Sequence, residues 1–450
     1  MIAISRRRLL GVAAAATTAA LVLAACGSDD SSSDSTSTGK STVSDADVQA
    51  ALQKGGNLTV WAWEPTLKQV VAKFSEKYPN VKVNLVNAGT GNDQYTALQN
   101  AIAAGKGIPD VAHIEYFALP QFALGKSLAN LAPYGAESLK DHYTPGPWAN
   151  VHSGGGIYGL PMDSGPMALF YNKSVFDKYA VKVPTTWAEY LDAAKKLHAA
   201  NPKVYIGDDT GDAGFTTSMI WQAGGKPYQV DGTNVTINFA DPGALEFATT
   251  WQQLISQKLL APISGWSDQW YQGLGDGTIA TLATGAWMPA SFTSGVKAGA
   301  GKWRVAPLPQ WQAGANASAE NGGSSLAVME KSTNKTLAYA FVKYANDGDG
   351  VQTRVDNGAF PATTAQLNSA AFLDAKFPYF GGQQANQIFA QSAKNVVTGW
   401  SYLPFQVYAN SIFKDTVGKA YVSSTTLQDG LKAWQQQSAK YGTDQGFTVK

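Results

Sequence analysis

The first hundred residues of the folded body alternate between two hydrophobic periods. Asn57 to Trp63 is a β-rich apolar run that stops at Glu64-Pro65, and Thr66 to Tyr78 then carries Leu67, Val70, Val71 and Phe74 at helical spacing. Val81 to Val86 alternates like a half-buried strand. Gly89-Thr90-Gly91-Asn92-Asp93 turns the chain into a second helix marked by Tyr95, Leu98, Ile102 and Ala103. Gly105 to Pro109 closes that helix and opens a third strand at Asp110-Val111. Strand, helix, strand, helix, strand predicts an α/β layer with parallel strands. Further on, glycines and prolines flank Asp163, and the apolar run Met167 to Tyr171 is too short for a helix. This stretch, Gly154 to Phe176, reads as loop, bend and buried strand, a place where two halves of a protein could join. Pro184-Thr185-Thr186-Trp187 starts a helix in which Thr186 and Glu189 have the spacing of a capping box.

Length and composition change this picture by enlarging it. A chain of 450 residues exceeds what one hydrophobic core usually supports, so two lobes are expected, and no repeat of solenoid or propeller period is present. A net charge of +1 with 15% charged residues offers no electrostatic case for nucleic acid. The 13 Trp, 19 Tyr and 18 Phe are a surplus of flat amphipathic surface, suited to a core or to a cleft that stacks on its ligand.

The amino terminus has its own pattern. Arg6-Arg7-Arg8 precedes an apolar, Ala-rich run from Leu9 to Ala25, shorter than a membrane span, as in a signal peptide over residues 1–25. The only cysteine, Cys26, excludes internal disulfides and cysteine-based metal clusters. Leu23-Ala24-Ala25-Cys26 resembles a bacterial lipobox, which implies cleavage before Cys26 and its lipidation. Ser5 to Leu10 also resembles a twin-arginine export signal, leaving the export route open. Residues 26–54 are expected to form a flexible tether, rich in Ser, Thr, Asp and Gly, with a weakly helical stretch from near Asp45.

Several chemistries lack their residues. There is no Gly-x-Ser-x-Gly elbow, and Pro120 stands where a phosphate loop ending in Gly125-Lys126-Ser127 needs glycine. The four histidines, His113, His142, His152 and His198, have no metal-ligand spacing and read as structural or surface residues. Gly299-Ala300-Gly301 lacks the third glycine of a dinucleotide fingerprint. No cofactor and no metal are expected.

The motifs in order resemble a known family. Tyr158-Gly159-Leu160-Pro161 followed by Tyr171-Asn172-Lys173 is similar to the hinge crossover of the carbohydrate-binding lipoproteins that serve ABC importers. Leu58 to Trp61, Gly105 with Pro109-Asp110-Val111, Gly125 to Leu131, Pro184 to Glu189, Ile220 to Gly225, Thr281 to Trp287 and Asn321 to Val328 follow in the order of extracellular solute-binding family 1, whose maltose-binding-protein-like members are the nearest pattern. The resemblance implies a two-lobe periplasmic-binding-protein type II fold with a hinge and an interlobe cleft. Lobe one would comprise 55–163 plus 328–365 and lobe two 166–323 plus 368–450. It further implies a non-enzymatic, monomeric lipoprotein, anchored through Cys26 to the outer face of the cytoplasmic membrane, that hands a mono- or oligosaccharide to an ABC permease.

A neutral sugar needs flat rings for its C–H faces and carboxylates or amides for its hydroxyls. Trp63 and Glu64 end the first strand, Glu115 and Tyr116 the third, and all match contact loops of the family, although Trp63 would also suit the core beneath the first helix. Asn92, Asp163 and Asp212 are polar candidates, and Asp163 departs from the family in that its maltose-binding members carry their carboxylate where this chain has Gly165. Trp287 matches the stacking tryptophan. Trp266 and Trp270, four apart, would share a helix face, and Trp400 with Tyr408 would supply platforms from the last segment. A glycoside hydrolase using two of Glu64, Glu115, Asp163 and Asp212, and the same fold binding a polyamine or metal chelate, are the alternatives.

Overall fold

The computed structural model describes residues 43–208 and 212–450. In its first sheet the strands run Val81–Val86, Gly56–Trp61, Val111–Glu115, Ser324–Val328, Leu160–Pro161. The first three are parallel, as the alternation of periods predicts, whereas Ser324–Val328 runs antiparallel to both of its neighbours. Val111 to Ile114 are all buried, because helices cover both faces of the sheet. The helix Leu67–Lys77 buries Leu67, Val70 and Phe74, and the Phe74 ring meets Phe341 of the helix Lys335–Asp347 edge-on at 5.1 Å. Chain from far downstream therefore completes the first lobe.

The second lobe is built on Met167–Asn172, flanked on both sides by antiparallel strands, Thr281–Gly285 and Trp303–Pro307. Alternate residues of the central strand feed two cores. Met167 and Leu169 pack with Trp187, Phe247 and Trp251, while Ala168 and Phe170 pack with Phe292, Trp303 and Phe389. The Thr186–Glu189 capping box is formed and starts the helix Trp187–Ala200.

The lobes are stitched where three passages of chain run side by side. Met162 N donates to Ser324 O, Asn321 N donates to Gly165 O, Pro166 bridges Glu320 and Asp163 bridges Pro361. Position 165 can only be glycine, since a Cβ there would stand 2.2 Å from the Asn321 carbonyl oxygen. The departure from the maltose-binding pattern at Gly165 is thus a packing requirement of this hinge.

One expectation is corrected. The tether expected through residue 54 does not extend over Asp45–Lys54, which is a capped helix whose Val48 and Leu52 are buried against the helix Lys335–Asp347. The Ser44–Asp47 capping box and one apolar stripe at i, i+4 outweigh the polar composition around them. The signal peptide over 1–25, Cys26 and the tether before residue 43 lie outside the described residues. No helix among the described residues is long and apolar enough to cross a membrane.

Candidate functional site

At the carboxyl ends of the first-lobe strands, facing the second lobe, lies a cavity of about 860 Å³. Nine of the twelve ligand-site candidates line it: Trp63, Glu64, Asn92, Glu115, Asp163, Asp212, Trp266, Trp270 and Trp287. Each lobe and the crossovers contribute.

The second-lobe wall is aromatic. Trp266 lies 4.9 Å from Trp270 and 5.7 Å from Trp287 between ring centroids, the latter pair nearly parallel. Trp270 Nε1 donates to Asp208 Oδ1 at 2.9 Å, and Trp287 Nε1 donates to the Asn321 carbonyl at 2.7 Å. The expected helical face shared by Trp266 and Trp270 is corrected: the helix begins at Asp268 behind its Ser267 cap, so Trp266 stands on the preceding turn. There it adopts a left-handed φ of +67° and is 51% exposed. On the first-lobe side Trp63 lies flat on His113, with centroids 3.8 Å apart.

The polar wall is acidic. Glu115 accepts a hydrogen bond from Tyr95 Oη at 2.9 Å, and burial together with the charges of Asp163 and Asp212 pushes it up to about 7. Burial also raises Asp163 to about 6, opposed by the Arg354 charge and by the Ser324 N–H and hydroxyl that donate to its Oδ1 at 2.7 and 2.8 Å. Asp208, raised by burial to about 7, was not foreseen. Asp212 caps the helix Ala213–Gln222 by accepting from Gly214 N. Glu64 accepts from Thr66 N, Thr66 Oγ1 and Leu67 N, which fixes the turn into the helix Leu67–Lys77 and leaves it a structural as well as a lining role. Among the described residues no cluster of His, Cys, Asp and Glu could hold a metal ion.

Three candidates are corrected. Tyr116 is buried in the first-lobe core, where its hydroxyl donates to Asp163 O at 2.7 Å. Trp400 stacks face to face on Trp221 in the second-lobe core, and Tyr408 stacks on Tyr441 at 3.7 Å. In each case a neighbouring ring or core offers more contact than the cavity. The same last segment does reach the cavity, through Tyr402, Gln406, Asn410 and Lys414. The last three recur every four residues, a polar stripe that spacing alone could have revealed. His113 and Asn321 were also missed, since neither a histidine in an apolar strand nor an asparagine beside glycines signals a cavity.

Flat rings opposite hydrogen-bond acceptors, with five carboxylates and one lysine at the walls, suit an uncharged polyhydroxylated ligand and oppose an anionic one. The pattern of bacterial extracellular solute-binding proteins matches the chain over residues 62–352. The chain belongs to this family. Among its relatives, the lactose-binding protein of Rhizobium radiobacter is 27% identical over 89% of this chain and 97% of its own length. The ABC transporter associated binding protein from B. animalis subsp. lactis Bl-04, solved in complex with beta-1,6-galactobiose, is 48% identical with a TM-score of 0.82 over 88% of this chain and 99% of that one. The galacto-N-biose-/lacto-N-biose I-binding protein of Bifidobacterium longum, solved with lacto-N-biose, is 27% identical with a TM-score of 0.76 over 88% of this chain and 99% of its own. This solute-binding protein thus shares its two-lobe, type II fold with sugar-binding components of ABC transporters.

Proposed function

We propose that this solute-binding protein captures a short neutral oligosaccharide between its lobes and delivers it to an ABC permease without altering it. The observation that carries the reading is that the tryptophans Trp266, Trp270 and Trp287 and the carboxyls of Glu115, Asp163, Asp208 and Asp212 line one cavity, with Asp208 held by the Trp270 N–H. Rings take the C–H face of a pyranose, contributing on the order of 1 kcal/mol each beyond area burial. Hydrogen bonds from sugar hydroxyls to carboxylates contribute roughly 1.5 to 3 kcal/mol each before ordering costs. Galactosides head the candidate ligands, because relatives named for lactose, galactobiose and lacto-N-biose are similar to this chain over nearly their whole length.

In this reading lobe one comprises 55–163 plus 328–365 together with the helix Asp45–Lys54, lobe two comprises 166–323 plus 368–450, and the protein acts as a monomer. Export removes residues 1–25, and lipid on Cys26 holds the protein at the outer face of the cytoplasmic membrane, within reach of its permease. Calorimetric titration of the body beginning at residue 43, against mono- to pentasaccharides, tests the ligand. A dissociation constant of about 1 μM or tighter for a galactoside, with the sugar recovered intact, is the expected result. Silence across the sugars, or shorter products, overturns the reading.

A further inference from the structure

The indole nitrogen of Trp287 is bound to the hinge itself. Its Nε1 donates to the carbonyl of Asn321, a residue 8% exposed whose own N–H donates at 2.7 Å to Gly165 O of the opposite crossover. The Asn321 side chain is engaged at both ends. Its Oδ1 accepts from Thr284 Oγ1 at 3.1 Å and its Nδ2 donates to Ser218 Oγ at 3.3 Å. Ser218 Oγ donates in turn to the Glu320 carbonyl at 2.8 Å, and the buried Glu320 carboxyl accepts from Ser164 Oγ and Gly165 N. The aromatic wall, the helix Ala213–Gln222 and two crossovers therefore meet at one residue.

The backbone has been cleared to permit this meeting. A Cβ at Gly285 would stand 2.4 Å from Trp287 Nε1, one at Gly322 would stand 3.0 Å from the same atom, and one at Gly165 would collide with the Asn321 carbonyl. Gly322 also takes a φ of +82°, in the left-handed region that favours glycine. A buried indole N–H takes a partner wherever it can; what distinguishes Trp287 is that its partner is the Asn321 carbonyl, on the residue whose N–H pairs with the opposite crossover.

We infer that Asn321 is a positioning residue that ties Trp287 to the crossovers, so that the stacking wall and the hinge move as one unit and a stacked ligand is sensed at the hinge. The inference rests on the proposed sugar reading for its ligand arm only. A sugar pressed on Trp287 restrains the ring, the ring restrains the Asn321 carbonyl, and the Asn321–Gly165 pairing follows. Loss of the tie leaves the ring face in place but uncouples it from the hinge.

Trp287→Phe removes the N–H donor and keeps a ring, and Asn321→Ala removes the bonds to Thr284 and Ser218. Amide hydrogen exchange read at residues 162–166 and 319–324, first without sugar, decides the tie. Both variants are expected to exchange there at least tenfold faster than the natural protein while the strand Val111–Glu115 stays as protected as before. Exchange unchanged in both variants overturns the inference, whatever ligand the protein takes. With the galactoside that binds best, sugar is expected to slow exchange at these residues in the natural protein and not in Trp287→Phe. The variant's weaker affinity should come from a dissociation rate at least tenfold higher, with association nearly unchanged. Equal slowing by sugar in both proteins, with equal dissociation rates, also overturns it. Failure of every saccharide to bind the natural protein defeats the sugar reading and leaves the sugar-free comparison to decide the tie.

Discussion

At the scale of single residues, His113 shows how a side chain that looks inert in the sequence becomes part of the cavity wall. It sits 2% exposed on the strand Val111–Glu115, with neither ring nitrogen hydrogen-bonded, beneath Trp63. Burial, with a smaller push from the Arg354 charge, lowers its basicity to about 3. The unfolded chain takes up a proton near pH 6.5 that the native ring refuses, so this group's contribution to stability is full above 6.5 and is lost as pH falls from there toward 3. The slope is at most about 1.4 kcal/mol per pH unit. His113→Phe removes the titration, so in denaturant unfolding the variant should gain on the natural protein steadily as pH is lowered from 7.5 to 4.5. A difference between the two proteins that stays constant with pH would show that the native ring is protonated. The sequence could place His113 in a strand, and a buried histidine there reads as core. Its position under Trp63 depends on strand Gly56–Trp61 pairing with Val111–Glu115, Trp61 opposite Ala112, which no local pattern encodes. Trp287 and Asp163 were legible because they stand beside glycines whose turns mark strand ends, whereas Trp400 and Tyr408 were misread because rings in a loosely patterned segment find each other as readily as a ligand.

At the scale of elements, local signals read best and packing partners worst. The capping box at Thr186–Glu189 and the stripe Leu67, Val70, Phe74 are visible in the chain and present in the fold. The helix Asp45–Lys54 was concealed by composition, since only Val48 and Leu52 are buried on it and their partners lie some three hundred residues away, on Lys335–Asp347. That helix is the first element among the described residues. Leu52→Ala should destabilise the body by about 2 to 5 kcal/mol, the usual range for a buried leucine. A body truncated to start at Gly55 should melt lower than one starting at residue 43, because it uncovers the apolar surface that Val48 and Leu52 shield. Neither residue lines the cavity, so sugar affinity measured below the melting range should be the same in both bodies. Equal melting temperatures would mean that the helix is held by nothing beyond its own capping box.

At the scale of the whole molecule, length suggested two lobes, but which segments build each was readable only through the order of motifs, because strand Ser324–Val328 enters the first sheet between segments that precede it by some two hundred residues. What no motif order conveys is the electrostatic state of the assembled cavity, where lobes and crossovers bring carboxyls together. Burial first, then mutual repulsion of Glu115 with Asp163 and Asp212, raises Glu115 to about 7; burial raises Asp208 to about 7, opposed by the Trp270 N–H, and Asp163 to about 6. The unfolded chain releases these protons near pH 4, so the unliganded protein holds protons that the unfolded chain has lost between about pH 4 and 7. Their contribution to stability is therefore full below pH 4 and is lost as pH rises through 6 to 7. Sugar hydroxyls that donate to these carboxylates favour the ionised form and lower the same values. Sugar binding should then release protons near pH 6.5, and affinity should tighten as pH rises from 5 to 8, by about tenfold for each unit by which one carboxyl is lowered. Titration calorimetry at pH 6.5 in two buffers of different ionisation enthalpy reads the proton count directly. Proton release marks the carboxyls as acceptors from the ligand, whereas proton uptake with weaker binding at high pH would mean that protonated Glu115 or Asp208 donates to the sugar, and the polar wall would then work in the opposite sense.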